Sequence, residues 1–398
     1  MVSKFKLGIM YSNFSFFVTI LIGIFSYKYL WSILEPDVFN SWIALFEFSL
    51  FLLLLDLGFT HTFIKKYSEV DCLDKVNFEK DILHMRYSLF KVAFFSLVLI
   101  LILGVTLNIS EKLGGGPVLI LGISVFLTLI SYADTAVLKI NEKFNIIYII
   151  NIISNIVYLS LLFVFPKSWG VWVVVVCVFI RSLLIYLLQS LYTPFSFRLK
   201  KYKQDIKTEY HQVFFLNSSY FIYFAFDAIL LINLSISPVV LSILIVYKKY
   251  YDLLRGFFDS MLSVIIVYFS KFNSKSLNIS VFFTFFVIIA YLLSFLLSDY
   301  LLKFWFDDFL SNLLLSLSIC FSTLSIVLYR YFSNKLYFTT KNNLIYLLIC
   351  SVLVKSIFVL YYLFCKNLAS AYIMQALFVF LICFIISRFI INDRESNG

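Results

Sequence analysis

Twelve long apolar runs, separated only by short polar connections, occupy almost all of this sequence. A helix needs about 20 apolar residues to cross a hydrocarbon core roughly 30 Å thick. Inside that core each segment has to satisfy its own backbone N–H and C=O groups, which leaves helices and closed barrels as the workable solutions. Runs of this length predict helices, and the polar sequence between them is too short for a soluble domain. Composition agrees: hydrophobic residues are 62% and charged residues 14%, at a mean hydropathy of +0.97. Soluble domains carry about 25% charged residues.

The runs fall at 8–30, 41–64, 87–109, 117–140, 146–165, 169–192, 211–234, 237–269, 277–298, 311–333, 342–364 and 367–390. Short cytoplasmic connections accumulate Lys and Arg. With the N-terminus inside, the inner segments hold twenty-one of these residues, Arg86 and Arg330 among them, and the outer segments five. Both termini are therefore expected in the cytoplasm, and the net charge of +10 is a topology signal that needs no nucleic-acid partner. Lys4 and Lys6 precede the first run without a small-residue cleavage pattern, which reads as a retained first helix. The six Cys form no C-x-x-C pair, so neither a zinc site, a redox site nor a disulfide framework is expected.

The basic stretch 193–210 divides the chain into a six-helix bundle at 1–192 and a second at 211–390, followed by a tail at 391–398. Both halves open alike, with a span, a short outer turn containing Pro36 or Pro238, and a long second span ending in basic residues. Transporters are often built from related halves with the substrate between them. The expected fold is thus an all-α integral membrane protein of about twelve transmembrane helices, in two six-helix bundles around a central cavity.

Charges recur inside the runs. Lys248, Asp252, Arg255 and Asp259 recur at helical spacing and fall within about 60° of one another on a helix. Lys249 widens that face. Such a stripe either lines a watery path or neutralises itself, Lys248 with Asp252 and Arg255 with Asp259. Arg181, Asp227 and Lys355 lie deep in other runs, and Glu47, Asp56 and Asp134 complete the set. A guanidinium grips a phosphate as a fork, and an ammonium acts as a movable point charge. Arg181, Lys248, Lys249, Arg255 and Lys355 are therefore candidate ligands for an anionic head group. Asp227, Asp252 and Asp259 are candidate charge partners or ion-coupling sites. Asn13, Asn151, Asn155, Asn217, Asn233 and Gln375 are read as interhelical bridges or sugar contacts. Neither catalytic nor metal-ligating residues are expected.

The string Asp56-Leu57-Gly58-Phe59-Thr60, followed by Ile64-Lys65-Lys66-Tyr67-Ser68-Glu69, resembles the end of span two in polysaccharide flippases. These are the O-antigen (Wzx-type) members of the multidrug/oligosaccharidyl-lipid/polysaccharide exporter superfamily. Phe226-Asp227-Ala228-Ile229-Leu230-Leu231 is similar to their span-seven segment, and Val246-Tyr247-Lys248-Lys249 with Tyr268-Phe269-Ser270 to their span eight. Span eight departs from the pattern in lacking a Pro near its end and in carrying Lys248-Lys249 where smaller residues are common. The resemblance implies movement of a polyprenyl diphosphate-linked oligosaccharide from the inner to the outer leaflet of a bacterial cytoplasmic membrane. It implies H⁺ or Na⁺ as the coupling ion, no other cofactor, and a polysaccharide polymerase and chain-length regulator as partners. A multidrug or cation exporter of the same fold is the second reading, and an integral membrane polymerase the third.

Overall fold

The structure, a computed structural model, describes the chain apart from residues 1, 55, 57–58, 69–74, 107–108, 194–206, 225–235, 237, 273–276, 307–310, 340–343 and 397–398. It divides into two compact units, Met1–Phe214 and Phe215–Gly398. The first contains α1 (Val2–Ile33), α2 (Pro36–Leu54), α3 (Phe59–Ser68), α4 (Lys75–Thr106), α5 (Ile109–Leu113), α6 (Gly115–Ile140), α7 (Phe144–Val164) and α8 (Val171–Ser190). Helix α9 (Lys207–Phe224) leads into the second. There α10 (Pro238–Phe272), α11 (Leu277–Trp305), α12 (Leu313–Thr339), α13 (Ile345–Cys365) and α14 (Leu368–Ser396) follow. Among the described residues, eight helices are long and apolar enough to cross a membrane. With α1, α2, α9 and the 35-residue α10 they make the expected set of about twelve. The chain is an all-α, multi-pass membrane protein.

Several boundaries differ from the hydropathy pattern. The run at 41–64 is broken: α2 stops at Leu54, α3 starts at Phe59, and Asp56 is buried in a bend between them. Helix α4 begins at Lys75 rather than 87, because its first turns are amphipathic rather than uniformly apolar. Ile82 and Met85 face a small core with Phe63, Tyr67 and Ala133, while Glu79 and Lys80 are exposed. Helix α14 continues to Ser396, through residues that read as a tail.

In the first unit α6 is the hub. It packs against α4 and α8 over long stretches and against α2 and α3 more briefly, while α7 links α8 to α1. A Cβ added at Gly122 would lie 2.6 Å from Leu97 Cδ1, so the glycine permits the close approach of α4 and α6. One end of this group is clamped by buried charge. Arg86 Nη2 lies 2.5 Å from Asp134 Oδ1, both side chains being 1% exposed, and Thr193 Oγ1 donates to the same oxygen at 2.7 Å. Beside it, Lys66 Nζ and Tyr67 Oη both donate to Asp81 Oδ2, at 2.6 and 2.7 Å. Arg86, counted with the inner connections on sequence, is in fact an interior residue.

In the second unit α12 takes the hub position, against α10, α11 and α14, with α13 packed on α14. Its apolar window is 72% buried, against 22% for that of α11. Small hydroxyl residues make that possible: Ser316, Ser318, Ser322, Thr323 and Ser325 are all buried. Most return their hydrogen to the helix itself, Ser318 to Leu315 O at 2.8 Å, Thr323 to Ile319 O at 2.9 Å and Ser325 to Ser322 O at 2.7 Å. The polar atoms are thereby satisfied without water, and neighbouring helices can approach closely.

Removing one member of a buried ion pair strands the other. We expect Arg86→Ala or Asp134→Ala to cost about 3–5 kcal/mol in thermal unfolding of the detergent-purified protein, and the joint change Arg86→Met/Asp134→Leu to recover most of it.

Candidate functional site

Arg181 lies mid-way along α8, about 15 Å from either helix end. Its Nε donates to Asn155 Oδ1 on α7 at 2.6 Å, and Asn155 Nδ2 in turn donates to Thr19 Oγ1 on α1 at 2.9 Å. The chain of donors fixes the guanidinium from one edge using neutral groups alone. Among the described residues, no carboxylate lies within ion-pair distance of Arg181. Tyr132 and Tyr158 are its electrostatic neighbours, and Tyr132 also feels Asp56. The two Nη groups of this oriented fork are left for a ligand, and the geometry suits a phosphate or carboxylate.

In the second unit the α10 stripe turns toward its own bundle. Lys248 is buried, while Lys249, Asp252, Arg255 and Asp259 are half-buried. Arg255 Nε lies 3.4 Å from Asp252 Oδ1, three residues back. Asp259 Oδ2 accepts a 2.5 Å hydrogen bond from Tyr220 Oη on α9. The self-neutralising pairs expected along the helix are therefore replaced: Asp252 takes Arg255, and Asp259 takes a tyrosine. Arg330 on α12 completes the cluster. It donates to Asn217 Oδ1 at 3.0 Å, lies 4.5 Å over the Tyr220 ring and acts electrostatically on Asp259.

Sequence reasoning missed Arg330, placing it with the inner connections three residues before the end of a run. The continuation Leu336-Tyr337-Phe338, apolar beyond the arginine, is the signal that α12 runs on to Thr339. Lys355 is differently placed from the stripe. Its Nζ donates to Gln375 Oε1 at 2.7 Å and sits 5.0 Å from the Phe358 ring centroid, while Gln375 Nε2 donates to Ser322 Oγ at 2.9 Å. This ammonium is committed to a bridge between α13, α14 and α12. Asp227 lies outside the described residues. Among the described residues no group of three or more His, Cys, Asp and Glu side chains could hold a metal ion.

Neither a protein-family model nor a curated protein sequence matches the chain. Solved structures do match it, over nearly their full lengths. A MATE crystal structure in the bent conformation aligns with a TM-score of 0.67 at 11% identity, over 99% of this chain and 97% of that one. The lipid II flippase MurJ, in an inward closed conformation, gives 0.65 at 16%, over 98% and 88%. The chain has the MATE and MurJ fold. An outward-facing multidrug resistance MATE family transporter of the MOP superfamily agrees, at 0.65 and 10%, over 98% and 96%. At such identities the MATE/MurJ likeness is one of backbone, and what this chain does has to be argued from its side chains.

The two arginines should respond oppositely to removal of their charge. Arg255→Leu strands Asp252 and should lower stability by about 3–5 kcal/mol. Arg181→Leu removes a cation that, among the described residues, has no carboxylate at ion-pair distance, and should leave the unfolding temperature unchanged or raised. Thermal unfolding in detergent compares them directly.

Proposed function

We propose that the protein moves a polyprenyl diphosphate-linked oligosaccharide, an O-antigen repeat unit or related surface-polysaccharide unit, between leaflets of the bacterial cytoplasmic membrane by alternating access. Both termini are cytoplasmic in this reading, and H⁺ or Na⁺ couples the cycle. The single observation that carries it is Arg181, a fixed guanidinium inside a membrane helix whose anchor is an amide rather than a carboxylate. An uncompensated cation at that depth is costly and marks a substrate or ion path. Within the second unit, Lys248, Lys249 and Arg255 are candidate ligands for an anionic head group by residue type alone. The lipid tail stays in the bilayer while head group and sugars cross. The name of one structural neighbour, a lipid II flippase, supports a lipid-linked cargo for this backbone.

A multidrug or cation exporter is the second reading, since several structural neighbours are MATE transporters. Such a cargo calls for an uncompensated carboxylate. Four acidic residues have cationic company, Asp134 with Arg86, Asp81 with Lys66, Asp252 with Arg255, and Asp259 near Arg255 and Arg330. Asp299 on α11 is instead held by Tyr247 Oη at 2.8 Å, so the preference for an anion rests on Arg181.

The test is leaflet exchange of a fluorescent polyprenyl diphosphate saccharide in proteoliposomes. Wild-type protein should accelerate it, and Arg181→Ala should slow it about ten- to a hundredfold, the worth of one charged hydrogen bond. Export of a cationic dye without lipid exchange would establish the second reading instead.

A further inference from the structure

We propose that the outward face of α4 binds an anionic phospholipid of the surrounding bilayer, with Lys91 on the headgroup phosphate and the phenylalanines beyond it along the acyl chains. The site does not depend on which cargo the protein moves.

Lys80, His84, Tyr87 and Lys91 recur at steps of four, three and four residues, so they share one face of α4. Phe94, Phe95, Val98 and Ile102 continue that face toward the other end of the helix. Lys80, Lys91 and these four apolar side chains are exposed, while His84 and Tyr87 are half-buried. One strip of surface is therefore cationic over its first turns and apolar over the rest. Helix α4 supplies no carboxylate to it. Glu79 and Asp81 stand about 100° to either side of Lys80, and Asp81 is already held by Lys66 and Tyr67.

Lys91 is rooted inside the hydrocarbon. The apolar stretch of α4 ends at Thr106, and a helix crosses the core in about 20 residues. Counting back from Thr106 puts the edge of the core near Arg86 and Tyr87, with Lys91 about one turn inside it. Long side chains on a helix lean toward its N-terminal end. The Lys91 ammonium accordingly swings back to Tyr87, its Nζ 4.5 Å from that ring's centroid, near the edge of the core. Among the described residues that ring is its sole company, with no carboxylate in ion-pair reach.

A ring face answers the charge in part and leaves three N–H donors without an oxygen. A phosphodiester at the rim of the bilayer supplies both a negative charge and the acceptors. The acyl chains of the same molecule then run along Phe94, Phe95 and Val98, the direction in which a lipid hangs from its headgroup. A free phosphate would use the ammonium and leave the apolar strip uncovered. A zwitterionic lipid would bring its own cation in beside Lys80 and Lys91. An anionic lipid suits both ends of the strip.

Native mass spectrometry of the full-length protein, released from nanodiscs of equal phosphatidylglycerol and phosphatidylcholine, reads the lipids that stay bound. Wild type should retain phosphatidylglycerol in preference. Lys91→Leu should lower that preference about fivefold, the worth of one basic residue near a lipid surface. Lys91→Gln, which also lacks the charge, should behave as Lys91→Leu does, and Lys91→Arg should keep most of the preference. Equal retention of the two lipids by wild type overturns the site, as does a preference unchanged in both neutral variants. Glycerol phosphate, a headgroup without chains, should not displace the bound lipid; displacement would mark a site for soluble phosphate instead. Failure of the saccharide exchange assay would overturn the cargo and leave this lipid preference to be judged by itself.

Discussion

A charge placed in hydrocarbon has to be neutralised by another side chain, because no water is there to do it. Insertion of a single Arg, Lys or Asp at the centre of a membrane helix costs about 2.5–3.5 kcal/mol. That constraint explains most of the polar interior of this protein. Arg86 answers Asp134 in the first unit, and Arg255 answers Asp252 in the second. The same rule holds one level down, for dipoles. The hydroxyls of α12 turn back to carbonyls in their own helix, so the most deeply buried helix of the second unit is also rich in serine. Polarity in these bundles is cheap where it closes on itself.

Residues that do not close on themselves are then the informative ones, and a buried cation alone is not enough. Lys355 is as deep in sequence terms as Arg181, yet its ammonium ends on Gln375, which is in turn tied to Ser322. That network joins three helices and leaves little for a cargo to use. Arg181 is held by one edge only, and its tether of Asn155 and Thr19 contributes no charge.

Much of this architecture is legible in the sequence because bilayer thickness imposes a length scale on it. The twelve runs and the alignment of Lys248, Asp252, Arg255 and Asp259 on one face of a helix follow from counting. What counting misses lies at run boundaries and between helices. Arg330 and Arg86 read as connection residues because each hydropathy run is shorter than its helix: α4 opens with amphipathic turns, and α12 continues through Ser333-Asn334-Lys335 to Thr339. Between Leu54 and Phe59, hydropathy averaging passes over the bend at Asp56. The pairing along α10 is also beyond a one-helix argument. Spacing predicts Arg255 with Asp259, but Tyr220 arrives from α9 to take that carboxylate, and Arg255 falls back on Asp252.

The shared fold shows the backbone alone, since its solved neighbours include both multidrug transporters and a lipid II flippase, and under the proposed function the choice of cargo falls to side chains. Selection has to come from the sign of whatever charge the protein leaves unneutralised, and here that choice turns on a few atoms. Asp at position 155 would hold Arg181 in nearly the same place, because the two side chains are almost isosteric. It would also cancel the charge and turn the guanidinium into a closed structural pair like Arg86–Asp134. The chain has Asn there instead. A carboxamide orients the fork through Nε while leaving its full positive charge and both Nη groups available. Asn155 thus fixes the geometry without spending the charge, and a site with fixed geometry and unspent positive charge is matched to an anion.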